Sequence, residues 1–213
     1  MSTEPGSPST TSPTSARPTP SLPPGYRLEP LRIEDAAGLA AAYRRNADHL
    51  APWDPVRPEV FFTVGFQALS VRKRLEKADG EADSWVLRCH PEPGGTVESA
   101  APDSAIIGRF NLNNVVRGAL QSADLGYWVD AAHTGRGLAT SCVELVVAAA
   151  RDDLGLHRVA ASTMINNVAS QRVLERCGFT RYGLAEKFLC INGDWRDSLL
   201  FQRILHDQPM SVG

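Results

Sequence analysis

Apolar positions follow two rhythms along this chain, one of about 3.6 residues and one of 2, and their alternation outlines the fold. Helical spacing first appears from about Ile33 to Asn46, where Ala36, Leu39, Ala40 and Tyr43 form one stripe. A second helix is predicted from about Pro58 to Ala78. It ends in the charged run Arg72-Lys73-Arg74-Leu75-Glu76-Lys77, expected as a solvated face. From Leu138 to about Leu154 the apolar face is Leu138, Cys142, Leu145 or Val146, and Ala149, with Gly155 suited to the C-terminal cap. A last helix starts at Asn166-Asn167, a good N-cap, and runs through Ser170, Val173 and Leu174 to Cys177, with Gly178 as its stop.

Strand-like segments separate these helices: Tyr26 to Pro30, Ser84 to Cys89, Ala105 to Leu112, Leu120 to Val129, His157 to Thr163, Phe179 to Ile191 and Trp195 to Leu205. Asn192-Gly193 between the last two is a strong hairpin signal. The order is strand, two helices, three strands, helix, strand, helix, two strands. It predicts an α/β fold with a mixed sheet and helices on both faces.

Composition sets the limits of the folded part. Residues 1–24 are almost entirely Ser, Thr, Pro and small side chains, which cannot bury enough apolar surface to offset ordering, so they read as a disordered tail. The tail lacks a basic start and an apolar core, so it is no secretory signal, and no later run is apolar enough to span a membrane. One domain is expected over 25–206, with a short tail at 207–213. A chain of 213 residues with 43% apolar and 22% charged positions is ordinary for a globular domain with a sizeable core. The net charge of -2 argues against a general nucleic-acid surface. Cys89, Cys142, Cys177 and Cys190 form no Cys-x-x-Cys pair and sit in apolar runs, so they read as buried, reduced thiols, which points to the cytoplasm. The scattered histidines give no metal-binding spacing, and no metal site is expected.

Chemistry concentrates between Leu125 and Thr140, where the strand Leu-Gly-Tyr-Trp-Val-Asp runs through Ala-Ala-His-Thr into Gly135-Arg136-Gly137-Leu138-Ala139-Thr140 and a helix. Glycines there admit close backbone approach, and a helix start offers unpaired N–H groups at the positive end of its dipole, which makes an anion site suited to phosphate. A P-loop needs a lysine that is absent here. A dinucleotide fingerprint needs Gly or Ala where Thr140 stands, and an acid about twenty residues further on, where the chain reads Arg158-Val159-Ala160. The remaining alternative is that Gly135 and Gly137 only make a tight turn.

That turn taken with Asn167-Val168-Ala169-Ser170-Gln171-Arg172-Val173-Leu174-Glu175-Arg176-Cys177-Gly178-Phe179 resembles the GCN5-related N-acetyltransferases (GNAT), and more narrowly their RimJ and RimL branch, which acetylates ribosomal proteins on alanine or serine. The Leu-Gly-Tyr-Trp-Val-Asp strand and the Ile191-Asn192-Gly193-Asp194-Trp195-Arg196-Asp197 hairpin are also similar, and the resemblance spans roughly Tyr26 to Leu205.

The resemblance implies the GNAT fold, with two parallel strands splayed apart, here Gly126 to Val129 and His157 to Thr163. It implies acetyl-CoA as co-substrate, its pyrophosphate on the backbone of Gly135, Arg136, Gly137, Leu138, Ala139 and Thr140, and its pantetheine arm along Trp128 and Val129. An amide near Val129 would polarise the thioester carbonyl, and Asn167 and Ser170 complete the implied cofactor contacts. Asp124 stands where relatives often carry Glu and is implied to take the amine proton, directly or through water. Leu174 holds the position of the superfamily's usual tyrosine acid, so Ser170 is the implied donor to the thiolate. Read without the family, Ser170 is a helix-start hydroxyl and Asp124 an exposed strand residue. Tyr182, Glu186 and Ser198 depart from the branch near the expected acceptor side.

The acceptor implied is a protein N-terminus, such as that of a ribosomal protein, or else a small-molecule amine; a non-catalytic acyl-CoA-binding module is the reading from a different class. Trp53, in the connection His49 to Pro55, reads as a core cover or as a wall of the acceptor cleft. No nucleic acid or membrane partner is expected, and the protein is expected as a monomer or homodimer.

Overall fold

A computed structural model describes residues 21–78, 83–90 and 105–208. The strands are β1 (Tyr26–Pro30), β2 (Ser84–Cys89), β3 (Ala105–Val116), β4 (Ser122–Val129), β5 (Arg158–Met164), β6 (Thr180–Ile191) and β7 (Asp194–Ile204). The helices are α1 (Ala36–Arg45), α2 (Ala47–Leu50), α3 (Val64–Lys77), α4 (Leu138–Asp152) and α5 (Val168–Arg176). All strands join one sheet of order β1-β2-β3-β4-β5-β7-β6. Each neighbouring pair is antiparallel except β4 and β5, which α4 connects as a parallel crossover.

Strand alternation divides the core between the two sheet faces. Trp85 and Leu87 of β2 and Ala123, Leu125 and Val129 of β4 pack with α4 and α5 in the main cluster. Val86, between Trp85 and Leu87, joins Leu39, Ala42 and Tyr43 of α1 and Val71 of α3 on the other face. The α1 stripe is buried as its spacing predicts. On α4 the buried set is Leu138, Cys142, Val143, Val146, Val147 and Ala150; it takes Val146 rather than Leu145, adds Val143, Val147 and Ala150, and leaves Ala149, expected on this face, only half-buried.

Several boundaries differ from expectation, each for a local reason. The helix expected over Pro58 to Ala78 is broken. A 3-10 turn (Glu59–Phe62) precedes Thr63, whose extended backbone lets its hydroxyl cap α3 by accepting from Phe66 N at 3.3 Å. The charged run on α3 is solvated apart from Arg74, which bonds Asp83 at 2.9 Å and Asn113 at 2.7 Å and so ties α3 to β3. β3 continues past Leu112 to Val116 across a register shift after Asn113. The short α2 reaches into the start of the connection expected from His49 to Pro55.

None of the four cysteines, all among the described residues, is in a disulfide; Cys142 and Cys177 are buried, whereas Cys190 is exposed, contrary to expectation. Burial pushes the Cys142 thiol up to about 12. Residues 1–20 of the expected tail lie outside the described residues, and Leu22, assigned to that tail, packs against the main core. Among the described residues no helix is long and apolar enough to cross a membrane.

Candidate active site

The glycine turn is built by backbone conformation. Gly135 and Gly137 have φ of 75° and 76°, a region that other residues enter with strain, and a Cβ on either would meet nothing within 4 Å. Glycine is therefore required for the turn itself, and open space lies beside it. Gly137 is the N-cap of α4, with no side-chain cap, and its carbonyl accepts from Ser141 N at 3.1 Å. The amides of Leu138, Ala139 and Thr140 precede Ser141, the first intrahelical donor, so their N–H groups are turned outward at the positive end of a 15-residue helix. Leu138 is buried and anchors the helix start. The Arg136 guanidinium, bonded to Tyr26 Oη at 3.2 Å, adds an exposed positive charge beside these groups.

A buried carboxylate fixes the approach to this turn. Asp130, 2% exposed, accepts from Arg45 Nε and Asn46 Nδ2, each at 2.8 Å, and from Ala132 N at 2.9 Å. Asn46 Oδ1 in turn accepts from Ala131 N at 2.9 Å, so the segment after β4 is bolted to the end of α1. Burial pushes the Asp130 carboxyl up, yet the bonds from Asn46, Ala132 and Arg45 outweigh it and hold the group below its ordinary value. Burial keeps the neighbouring His133 imidazole below its usual range; Asp130 opposes this, while Arg136 and Arg45 reinforce it. The Asp130 to Ala132 cap is a local pattern that sequence could have offered, but its partners on α1 are about 85 positions away.

Next to the turn the sheet opens. β4 and β5 pair only through Ser122, Ala123 and Asp124 against Arg158, Val159 and Ala160. Asp130 N donates to Ile107 O at 2.7 Å, which fixes the phase of the β3–β4 ladder. Gly126 and Trp128 accordingly turn their backbone groups to β3, and Tyr127 and Val129 turn theirs to the gap where β5 has diverged. An extended ligand can pair with that edge.

The side chains of β4 divide by face. Asp124 and Trp128 point to the α1–α3 side. Asp124 is exposed at the last β4–β5 pair and accepts from Asn114 Nδ2 at 2.9 Å, while Trp128 Nε1 donates to Tyr43 Oη at 3.2 Å. Tyr127 points to the other side and its hydroxyl lies 2.9 Å from Ser170 Oγ, a contact that sequence reasoning missed. Asn167 caps α5 by accepting from Ser170 N at 3.1 Å, and Leu174 is fully buried. Asp124 and Ser170 are thus on opposite faces of the sheet, with the gap between them, and do not touch each other.

A groove of about 720 Å³ lies between α2 and the β6–β7 hairpin, lined by Asp48, Pro52, Met164, Ile165, Trp195 and Asp197 among others. It lies beside the end of β5 that leads into α5. Trp53 is half-buried, and its neighbour Pro52 forms the wall. Trp195 is 65% exposed. Ser198 is fully buried, and Tyr182 is held under the Arg158 guanidinium with 3.2 Å between Nη2 and Oη, so neither is among the residues lining the groove.

Comparison with known proteins gives this geometry its family. The family described as an acetyltransferase (GNAT) domain matches residues 26–180. A probable N-acetyltransferase of Bacillus subtilis, YjcK, is 36% identical over 173 residues, covering 80% of this chain and 88% of the relative. The ribosomal protein uS5-alanine N-acetyltransferase of Escherichia coli is 33% identical over 168 residues, 78% of this chain and 80% of the relative. A solved structure of Mycobacterium smegmatis RimJ in complex with CoA-disulfide superposes with a TM-score of 0.72 at 29% identity, covering 87% of this chain and 85% of the other. The splayed strand pair, the glycine turn at its mouth and these relatives agree: the chain belongs to the GNAT acetyltransferase family, in its RimJ/RimL-like branch, and is an N-acetyltransferase.

Proposed function

We propose that the protein transfers an acetyl group from acetyl-CoA to the N-terminal α-amine of a protein. The observation that carries this reading is the gap between β4 and β5, with the backbone of Tyr127 and Val129 along one edge and the glycine turn at its mouth. In this reading the pyrophosphate sits on the amides of Gly135 to Thr140 beside Arg136, and the pantetheine arm pairs with β4. The Val129 amide donates to the thioester carbonyl as negative charge builds on its oxygen. Asp124 takes the proton of the attacking amine, directly or through water, and Ser170 returns one to the departing thiolate. RimJ solved with CoA-disulfide supports the donor assignment by relationship.

The acceptor follows from proton availability and from the groove. At neutral pH roughly a tenth of an α-amine but well under a thousandth of a lysine side chain is the neutral nucleophile. A site without a tyrosine at Leu174, with a short aspartate as base, favours the amine that needs least help. The groove beside Asp48 and Asp197 is open enough to admit an extended chain end. The uS5-alanine N-acetyltransferase named above supports a ribosomal protein as the class of acceptor.

The test is kinetics on one peptide, offered with its N-terminus free and its lysine blocked, then the reverse. Faster transfer to the free N-terminus is expected, best with Ala, Ser or Thr first. Preference for lysine, or transfer only to small amines, overturns the assignment.

A further inference from the structure

One hydroxyl beside the gap has no part in the chemistry so far. Tyr127 stacks on Phe110 with ring centroids 5.6 Å apart and planes 4° from parallel, packs against the main core, and reaches from β4 to the first turn of α5. Its Oη has two neighbours there, Ser170 Oγ at 2.9 Å and the Ser170 carbonyl at 3.4 Å. The carbonyl only accepts, whereas in the contact with Oγ either hydroxyl can be the donor. Ser170 is held from behind as well, its amide N–H donating to Asn167 Oδ1 at 3.1 Å. Among the described residues no other hydrogen bond engages its hydroxyl.

We propose that Tyr127 is a positioning residue for acetyl transfer: its O–H donates to Ser170 Oγ, which turns the serine proton into the β4–β5 gap and makes it a better donor. The inference rests on the assignment of Ser170 to thiolate departure. In the step concerned the carbon–sulfur bond breaks, sulfur keeps the electron pair, and the Ser170 proton passes to sulfur. Solvent, carrying the proton released by the amine, restores the serine. Tyr127 keeps its own proton throughout. Burial pushes its phenol well above the ordinary range, the bond with Ser170 draws it partly back, and Cys177 adds to the rise. A donor that stays neutral orients its acceptor without competing for the transferred proton.

The test is a double-mutant cycle on the full chain with Tyr127→Phe, Ser170→Ala and both, reading kcat, KM for acetyl-CoA and melting temperature. Tyr127→Phe keeps the stacked ring and removes one oxygen. It should lower kcat about five- to tenfold, the scale of one hydrogen bond, with KM and melting temperature nearly unchanged. In the Ser170→Ala background the same change should leave kcat where it is, because the residue acts only through the serine. An unchanged kcat for Tyr127→Phe, or an equal loss in both backgrounds, overturns the positioning role while the role of Ser170 stands. Full turnover by Ser170→Ala overturns the assignment on which the inference rests, and the inference with it. A fall in melting temperature that accounts for the lost activity of Tyr127→Phe assigns the hydroxyl to the fold alone and overturns the proposal.

Discussion

Removing the Asp130 carboxylate should destabilise the protein by about 2.5–5 kcal/mol, and the sum can be worked from its three donors. Asn46 is 1% exposed, so its Nδ2 loses a partner that water does not readily replace, a cost of about 1–3 kcal/mol. Arg45 is 47% exposed, and solvent recovers most of its loss, leaving about 0.5–1 kcal/mol. The cap on Ala132 adds about 1 kcal/mol. For a domain of this size the total in Asp130→Ala corresponds to a fall of roughly 5–20 °C in melting temperature. Asp130→Asn keeps the cap oxygen but turns a donor toward Arg45 and Asn46, so it should lose most of the same stability.

The pH dependence has a definite sign. Because the folded-state pKa of Asp130 is depressed, its contribution is complete above the unfolded carboxylate value, about 3.9, and disappears as pH falls through the folded one. Urea denaturation at a series of pH values measures this, with an unchanged slope confirming two-state unfolding. The gap between the native protein and Asp130→Asn should be widest near pH 7 and close below about pH 4. A cost under about 1 kcal/mol at pH 7, or a gap that does not narrow in acid, would refute the buried-carboxylate argument.

Gly137→Asp places a strained residue and a negative charge where the phosphates are proposed to sit, and should lower acetyl-CoA affinity by about tenfold or more; calorimetry on the folded variant showing no change would remove the anion site from the turn. Asp124→Asn should lower turnover by about 10²-fold, with the deficit shrinking as pH rises and more of the amine is neutral; equal turnover at all pH values would assign the proton to solvent. A chain beginning at Ser21 should keep melting temperature and turnover. One beginning at Gly25 loses the packing of Leu22 and should melt a few degrees lower, a difference that differential scanning calorimetry resolves.

Features that depend on a few adjacent residues were legible in the sequence. The glycine turn, the Asn167 cap and the Asn192-Gly193 hairpin, whose residues have φ of 51° and 84°, each follow from the conformational reach of the residues themselves. Contacts between distant segments were not legible. Asp130 meets Arg45 and Asn46, and Tyr127 meets Ser170, only once the sheet has brought β4 beside α1 and α5, and one aspartate or tyrosine in an apolar run carries no mark of such a partner. The break before α3 was hidden because Thr63 is tolerated within a helix; its hydroxyl prefers to cap one. Strand alternation in β4 already separates Asp124 from Tyr127, yet that α5 lies on the Tyr127 side follows only from the crossover.

The short seam between β4 and β5 has a mechanical consequence. On one side of it β1 to β4 form a continuous antiparallel meander, and on the other the β6–β7 hairpin pairs antiparallel with β5 through β7, so the sheet is two plates joined by three rungs. Beyond those rungs only helices and side chains brace the plates, and relative tilt between them should be the softest deformation of the molecule. A ligand that stitches the open edge would stiffen both plates at once, and hydrogen exchange at Tyr127 and Val129 should slow together with exchange far away along β6.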